Sequence, residues 1–304
     1  MATKLLKRFL SAINDFQQKH PLLAFPYAVI KKHSEDGVSY LGALITYYGF
    51  LSLFPLLLVA TTVTQFILRN DDQLMARVTG GIAHYFPVFS TGLQANIQSM
   101  DKAGLALIIG TLVTIYGARG GANAFQNALN HIWQVPKVER PGFPKAALKS
   151  LAIMLGGGVG LVGAAVLSSY ASSLGRVFIL RLVPTLISFA LLSLVFYTIF
   201  RLGMAFQGPA KKAVMISAMV AAVGVQILQS VGGYLITHEL KNLSTLYGTF
   251  AIVLGLLFWI YLQVQVILYA AEIGAVRALK LWPRSLGGQS TEADKKVQIM
   301  LSDK

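Results

Sequence analysis

Long apolar runs alternate along the chain with short, polar, cation-rich stretches. A helix crosses the hydrocarbon core of a bilayer with roughly 20 apolar residues, rising 1.5 Å at each. Six segments meet that requirement. The first runs from about Gly42 to Leu68, through LITYYGFLSLFPLLLVA. The second starts at Gly104 with LALIIGTLVTIYGA and continues, more polar, to about Trp133. The third lies within Leu148 to Tyr170, the fourth is Val183 to Phe200 and the fifth is Ala213 to Ile236. The sixth, about Tyr247 to Ala275, holds the most apolar run, FAIVLGLLFWIYL. No long alternation of apolar and polar residues points to barrel strands. The predicted fold is all-α, a polytopic bundle of six transmembrane helices.

Ahead of the first span, Leu5, Leu6, Phe9, Leu10, Ile13 and Phe16 recur at helical spacing with cations opposite. That pattern predicts an amphipathic helix lying in the membrane interface. It is not a cleavable signal, because Asn14, Asp15 and Gln17 to Lys19 interrupt the apolar stretch too early. The connection from Arg69 to Ala103 is long for a loop. Short helices are expected there, either covering a site or capping the bundle. The chain thus divides into an N-terminal region (1–41), a membrane domain (42–276) and a basic tail (277–304). The polar run SLGGQSTEADKK makes that tail a flexible one by expectation.

Composition supports the membrane reading. Of 304 residues, 55% are hydrophobic and only 12% are charged, about half the charge of a soluble domain. A soluble enzyme, a disordered chain and a disulfide scaffold are excluded, the last because there is no Cys. The 26 Lys+Arg against 12 Asp+Glu give a net charge of +14. With six spans, 19 of those 26 cations fall on one side. Cations in short loops favour the cytoplasm, so both termini are expected inside. The basic excess then faces anionic lipid headgroups, and no nucleic-acid partner is needed to explain it.

No enzyme chemistry or cofactor is expected. Gly158-Val159-Gly160-Leu161-Val162-Gly163 matches G-x-G-x-x-G, but it sits inside an apolar span with no acid between Glu139 and Glu239. A dinucleotide site needs a preceding strand and an acid about 20 residues on. Gly156 and Gly160, with Ala164, read instead as a small face for helix packing. His20, His33, His84, His131 and His238 are scattered, so no metal site is expected.

The informative residues are polar ones within spans. Arg119, Asn123, Gln126 and Asn130 recur along one side of the second helix, with Asn127 beside them; Ala122, Phe125, Leu129 and Ile132 take the other side. Such a stripe faces a wet cavity or a neighbouring helix rather than lipid. The first span offers Tyr48, Ser52 and Pro55, the last a helix breaker that predicts a kink. The fifth offers Gln226, Ser230, Gly233 and Thr237, and the sixth Tyr261, Gln265 and Glu272. Glu272 is the one acid within a span and needs a partner. Arg119, Asn127, Asn130 and Arg277 are the candidates, although Arg119 is offset by about 13 Å along the helix axes.

Three blocks, ALITYYGFLSLFPLLL, YGARGGANAFQNALNHIWQVP and TLYGTFAIVLGLLFWIYLQVQVILYAAEIGA, resemble the YihY/BrkB family of bacterial inner-membrane proteins. The likeness covers about Val38 to Val276. It implies a six-helix inner-membrane protein, with recurring residues at Tyr47, Tyr48, Pro55, Arg119, Gly120, Asn127, Asn130, Trp133, Tyr247, Gly248 and Glu272. It also implies an association with virulence or envelope roles, and an older ribonuclease label regarded as a misassignment. The leading expectation is a transporter or permease for an anionic solute or lipid, with Arg119 holding the anion and Glu272 coupling a proton. A structural envelope protein is the alternative, and a membrane-bound ribonuclease comes third. Oligomeric state is not readable from the sequence.

Overall fold

The computed structural model describes residues 12–67, 104–142, 144–153, 156–157, 160, 163–164, 178–205, 211–235, 249–286 and 290–302. Residues 1–11, the 69–103 connection with its expected short helices, Tyr247 and Gly248 lie outside the described residues. The described residues are helical throughout their ordered elements, with no strand. In chain order these are α1 (12–19), α2 (Pro21–Glu35), α3 (Val38–Ile67), α4 (Gly104–Ile132) and α5. The last starts at residue 145 and is followed to 153, with 156–157, 160 and 163–164 also helical. Then come α6 (Phe178–Gly203), α7 (Lys211–Leu235), α8 (Thr249–Ala278) and α9 (Glu292–Ser302).

Among the described residues, three stretches are long and apolar enough to cross a membrane: Thr185–Gly203 of α6, Lys211–Gly232 of α7 and Val253–Ala278 of α8. At 30 and 29 residues, α3 and α4 are longer than a hydrocarbon core of roughly 30 Å requires. Sequential neighbours pack together, α3 on α4, α6 on α7 and α7 on α8. Contacts of α8 with α3 join the last long helix to the first. Helix α3 is unbroken across Pro55.

Small residues let these helices approach. Ala124 and Ala128 of α4, Ala218, Ala221 and Ala222 of α7, and Ala270, Ala271 and Ala275 of α8 are all buried in one core. Lipid tails are as apolar as leucine, so close van der Waals packing, rather than hydrophobic burial, holds such helices together. A Cβ on Gly232 would meet the Trp259 ring, and one on Gly274 would meet the Ser217 hydroxyl. The small face expected on α5 is present but shifted. A Cβ on Gly160 would run into Val195 of α6, and one on Gly157 would lie 3.2 Å from Ile199, whereas Gly156 is exposed with nothing within 4 Å. The contact face is therefore Gly157, Gly160 and Ala164, and Gly156 is not part of it.

The N-terminal region has more structure than its sequence suggested. Helix α1 turns Ile13 and Phe16 outward and buries Asn14 and Gln17 against the protein. Helix α2 opens on Pro21, at the position where a missing N–H costs nothing. It ends at Glu35, and Gly37, just past the Asp36 cap, has a φ of 62° that suits glycine and lets the chain fold straight back into α3.

The flexible tail is corrected. Residues 290–302 carry α9, and the segment before it is docked on α2. Arg284, 2% exposed, donates to Glu35 Oε1 and Oε2 (2.9 and 2.7 Å) and to Asp294 Oδ1 (2.6 Å). Lys31 donates to Asp294 Oδ1 (3.0 Å) and to the Ser285 carbonyl (2.7 Å). Burial alone would raise the Asp294 carboxyl. Hydrogen bonds from Arg284, the Ser285 and Thr291 N–H groups and Lys31 overcome it and hold the group well below the carboxylate range. Leu281 and Val297 close a small core with Ala28, Val29 and Val276. A composition that looked disordered is ordered because its charges have fixed partners on a distant helix.

Candidate functional site

Two polar constellations stand out, where the sequence leaves open whether Arg119 and Glu272 pair. The first surrounds Glu272 at the α4 C-terminal end of the bundle. Its partner is Lys32 of α2, not Arg119. The Lys32 ammonium donates to Glu272 Oε2 (2.8 Å), to Asp36 Oδ2 (2.6 Å) and to the Ile132 carbonyl (2.8 Å). Three donors meet three acceptors, which is the full capacity of an ammonium group. The side chains of Lys32, Asp36 and Glu272 are 1%, 0% and 0% exposed. Gln134 donates to both Asp36 oxygens at 3.1 Å, and the His131 ring lies 3.0 Å from the Asp36 carbonyl.

The local fold explains this convergence. Lys32 and Asp36 are four residues apart, on one face of α2 and its cap. Gln134 sits just past α4 with φ 55°, and the N–H of Val135 closes back on the Asn130 carbonyl at 2.8 Å, the left-handed helix stop that glycine usually fills. Beside the cluster, His33 lies flat on Tyr269, ring centroids 3.8 Å apart. Burial pushes the His33 imidazole below its ordinary 6.5. Gln265 opposes the shift, Lys32 adds to it and Asp36 opposes it again. Gln265, which the sequence placed on a striped face, donates to the Ser39 carbonyl at 3.4 Å. The cluster locks α2, α3, α4 and α8 together. Sequence reasoning missed Lys32 because it was counted as a loop charge; its i,i+4 spacing to Asp36 was the available signal.

The second constellation is on α4, where the predicted stripe splits. Gln126 is buried and donates to Ser150 Oγ of α5 at 2.6 Å. Asn130 is buried, donates to the Gly203 carbonyl (3.4 Å) and accepts from the Ala205 N–H (2.7 Å). These two join helices. Arg119, Asn123 and Asn127 are exposed instead, at i, i+4 and i+8, one above another along about 12 Å of helix. The same face is apolar nearer the start of α4, at exposed Ile109 and Leu112, and turns polar from Tyr116 onward. The side called apolar, with Ala122, Leu129 and Ile132, is the buried one. Among the described residues Arg119 forms no ion pair.

The other residues take supporting places. Tyr48 of α3 is half-buried, its ring against the bare backbone of Gly120, where a Cβ would collide with it. Gln226 of α7 is half-buried. Tyr247 and Gly248 lie outside the described residues, and so do the side chain of Pro55 and its surroundings. Among the described residues no three His, Cys, Asp or Glu side chains gather closely enough to hold a metal.

Comparison with known proteins gives the same blocks a family. The Escherichia coli inner membrane protein YhjD is 23% identical over 292 residues, covering 89% of this chain and 86% of its own. A Bacillus subtilis protein named as ribonuclease-like, YfkH, is 26% identical, covering 76% of this chain and 87% of its own. A UPF0761 membrane protein of Alcanivorax borkumensis is 26% identical over 84% of this chain and 60% of its own. No solved structure matches. The family described as Virulence factor BrkB matches residues 29–294, from α2 into α9 and through both polar constellations, and the chain is an integral membrane protein belonging to that family.

Proposed function

We propose that this protein is a permease of the bacterial inner membrane that handles an anionic amphiphile, with all six predicted spans crossing and both termini in the cytoplasm. The observation that carries the reading is the exposed row Arg119, Asn123 and Asn127 on a helix whose opposite face is buried. An Arg facing hydrocarbon at mid-helix is unfavourable by roughly 2.5–3.5 kcal/mol on insertion scales. A polar ligand travelling along that face removes the penalty. Arg119 presents a planar fork of donors suited to a phosphate or carboxylate, and the two amides continue the track toward the cytoplasmic leaflet. The Lys32–Glu272–Asp36 cluster leaves Glu272 a locking role at the inner end of the bundle rather than that of a proton carrier opposite Arg119. The test is translocation of a fluorescent anionic lipid in proteoliposomes. Loss of most flux in Arg119→Ala is expected, and equal flux in variant and wild type overturns the reading.

A structural envelope protein is the second reading. It is favoured by Gln126, Asn130, Gln265 and Glu272, each of which makes a polar contact to another element. On that reading the exposed row meets another copy or another protein, and no lipid flux appears in any variant. The ribonuclease reading rests on the printed name of one relative. Purified protein that leaves tRNA intact with divalent cations present removes it.

A further inference from the structure

Away from both constellations, a groove of about 650 Å³ opens between α2 and the chain leaving α8. One wall is apolar and comes from the first two turns of α2, where Leu22 is 89% exposed. Phe25 of that wall meets Trp282 edge-on, ring centroids 5.7 Å apart. Two cations complete the lining, Arg277 in the last turn of α8 and Lys280 just past it. Both are exposed, and among the described residues neither has an ion-pair partner. No acid lines the groove. Lys280 is held at φ 53° in the left-handed helix stop of α8, where the Leu281 N–H closes on the Val276 carbonyl at 3.0 Å. Glycine is the unstrained residue there, so the backbone accepts strain at a position where lysine supplies a charge.

The place of the groove decides its ligand. Helix α8 contains a stretch, ending at Ala278, that is long and apolar enough to cross a membrane, and the end of such a span puts the groove where the helix leaves the bilayer. Exposed Trp at this depth belongs to the interface, and so does apolar surface on a helix lying beside the bundle. We propose that this groove binds an anionic phospholipid of the adjoining leaflet. Its phosphate rests between Arg277 and Lys280, and its upper acyl chain lies along Leu22, Phe25 and Trp282. The proposal needs only that α8 crosses the membrane and is independent of the permease reading.

The fluorescence of the full chain in phosphatidylcholine vesicles tests it. Trp133 and Trp259 are 3% and 4% exposed and Trp282 is 36% exposed, so brominated lipids at the groove quench chiefly Trp282. At equal mole fraction, brominated phosphatidylglycerol is expected to quench with about thirtyfold higher apparent affinity than brominated phosphatidylcholine, the size of effect two interfacial cations provide. Trp282→Phe should remove the excess quenching, and Arg277→Gln/Lys280→Gln should bring the two lipids level. A further variant, Lys280→Gly, relieves the backbone strain and is expected to fold at least as stably while losing part of the preference. Equal quenching by both lipids in wild type overturns the proposal. So does a preference that survives the double substitution, or one abolished by free glycerol phosphate, which marks a headgroup site with no lipid requirement.

Discussion

Lys32 is the residue on which the bundle depends at the C-terminal end of α4. Its ammonium is buried, and so are both carboxylates it serves. Burying charge is costly, and the pair geometry only offsets that cost. Removing one partner is far worse, because it strands the other charge without water, at about 3–5 kcal/mol. Lys32→Met is therefore expected to lower unfolding stability in detergent by about that amount. A double-mutant cycle gives the sharper measurement. Lys32 and Glu272 should couple by more than about 1 kcal/mol, and Arg119 with Glu272 by less than about 0.5 kcal/mol. Coupling of Arg119 to Glu272 above that level would contradict the geometry. The sequence showed that Glu272 needed a partner. It could not show which, since a partner 240 residues away is set by how α2 and α8 meet and not by any spacing within one helix.

Between helices, glycine is where shape is decided. The G-x-x-x-G pattern in α5 correctly announced a close contact but misplaced its face by about one residue. Helical periodicity fixes which residues share a side, not which side meets α6. Val195 and Ile199 select Gly160 and Gly157, and Gly156 is left outside. Gly160→Val should then destabilise by about 1–3 kcal/mol through overpacking, while Gly156→Ala should stay within about 0.5 kcal/mol. Thermal unfolding of the two variants side by side checks the register, and similar losses in both would refute it. The α4 stripe carries the same lesson. Gln126 and Asn130 lie near Arg119 and Asn123 around the helix, yet α5 and α6 cover the first two and leave the second two exposed. A rotation that composition cannot see divides a single row into a joint and an open track.

Across the whole molecule, cation placement predicts the orientation, and the absence of cysteine makes it directly testable. Single cysteines at Ser302, in α9, and at Asp71, in the first long connection, should label from opposite sides of intact cells. An impermeant maleimide is expected to reach Asp71→Cys from outside and Ser302→Cys only after permeabilisation. Labelling of both from one side would overturn the topology. The sequence by itself determined the all-helical class, the apolar segments and the asymmetry of charge, because hydropathy and charge act residue by residue against the solvent they meet. Only the tertiary structure decided that Glu272 pairs with Lys32, that Arg119 stands outside the core and that the polar tail is a docked helix. Each of those depends on which distant surfaces meet, and a buried charge takes whichever partner the packing brings within about 3 Å.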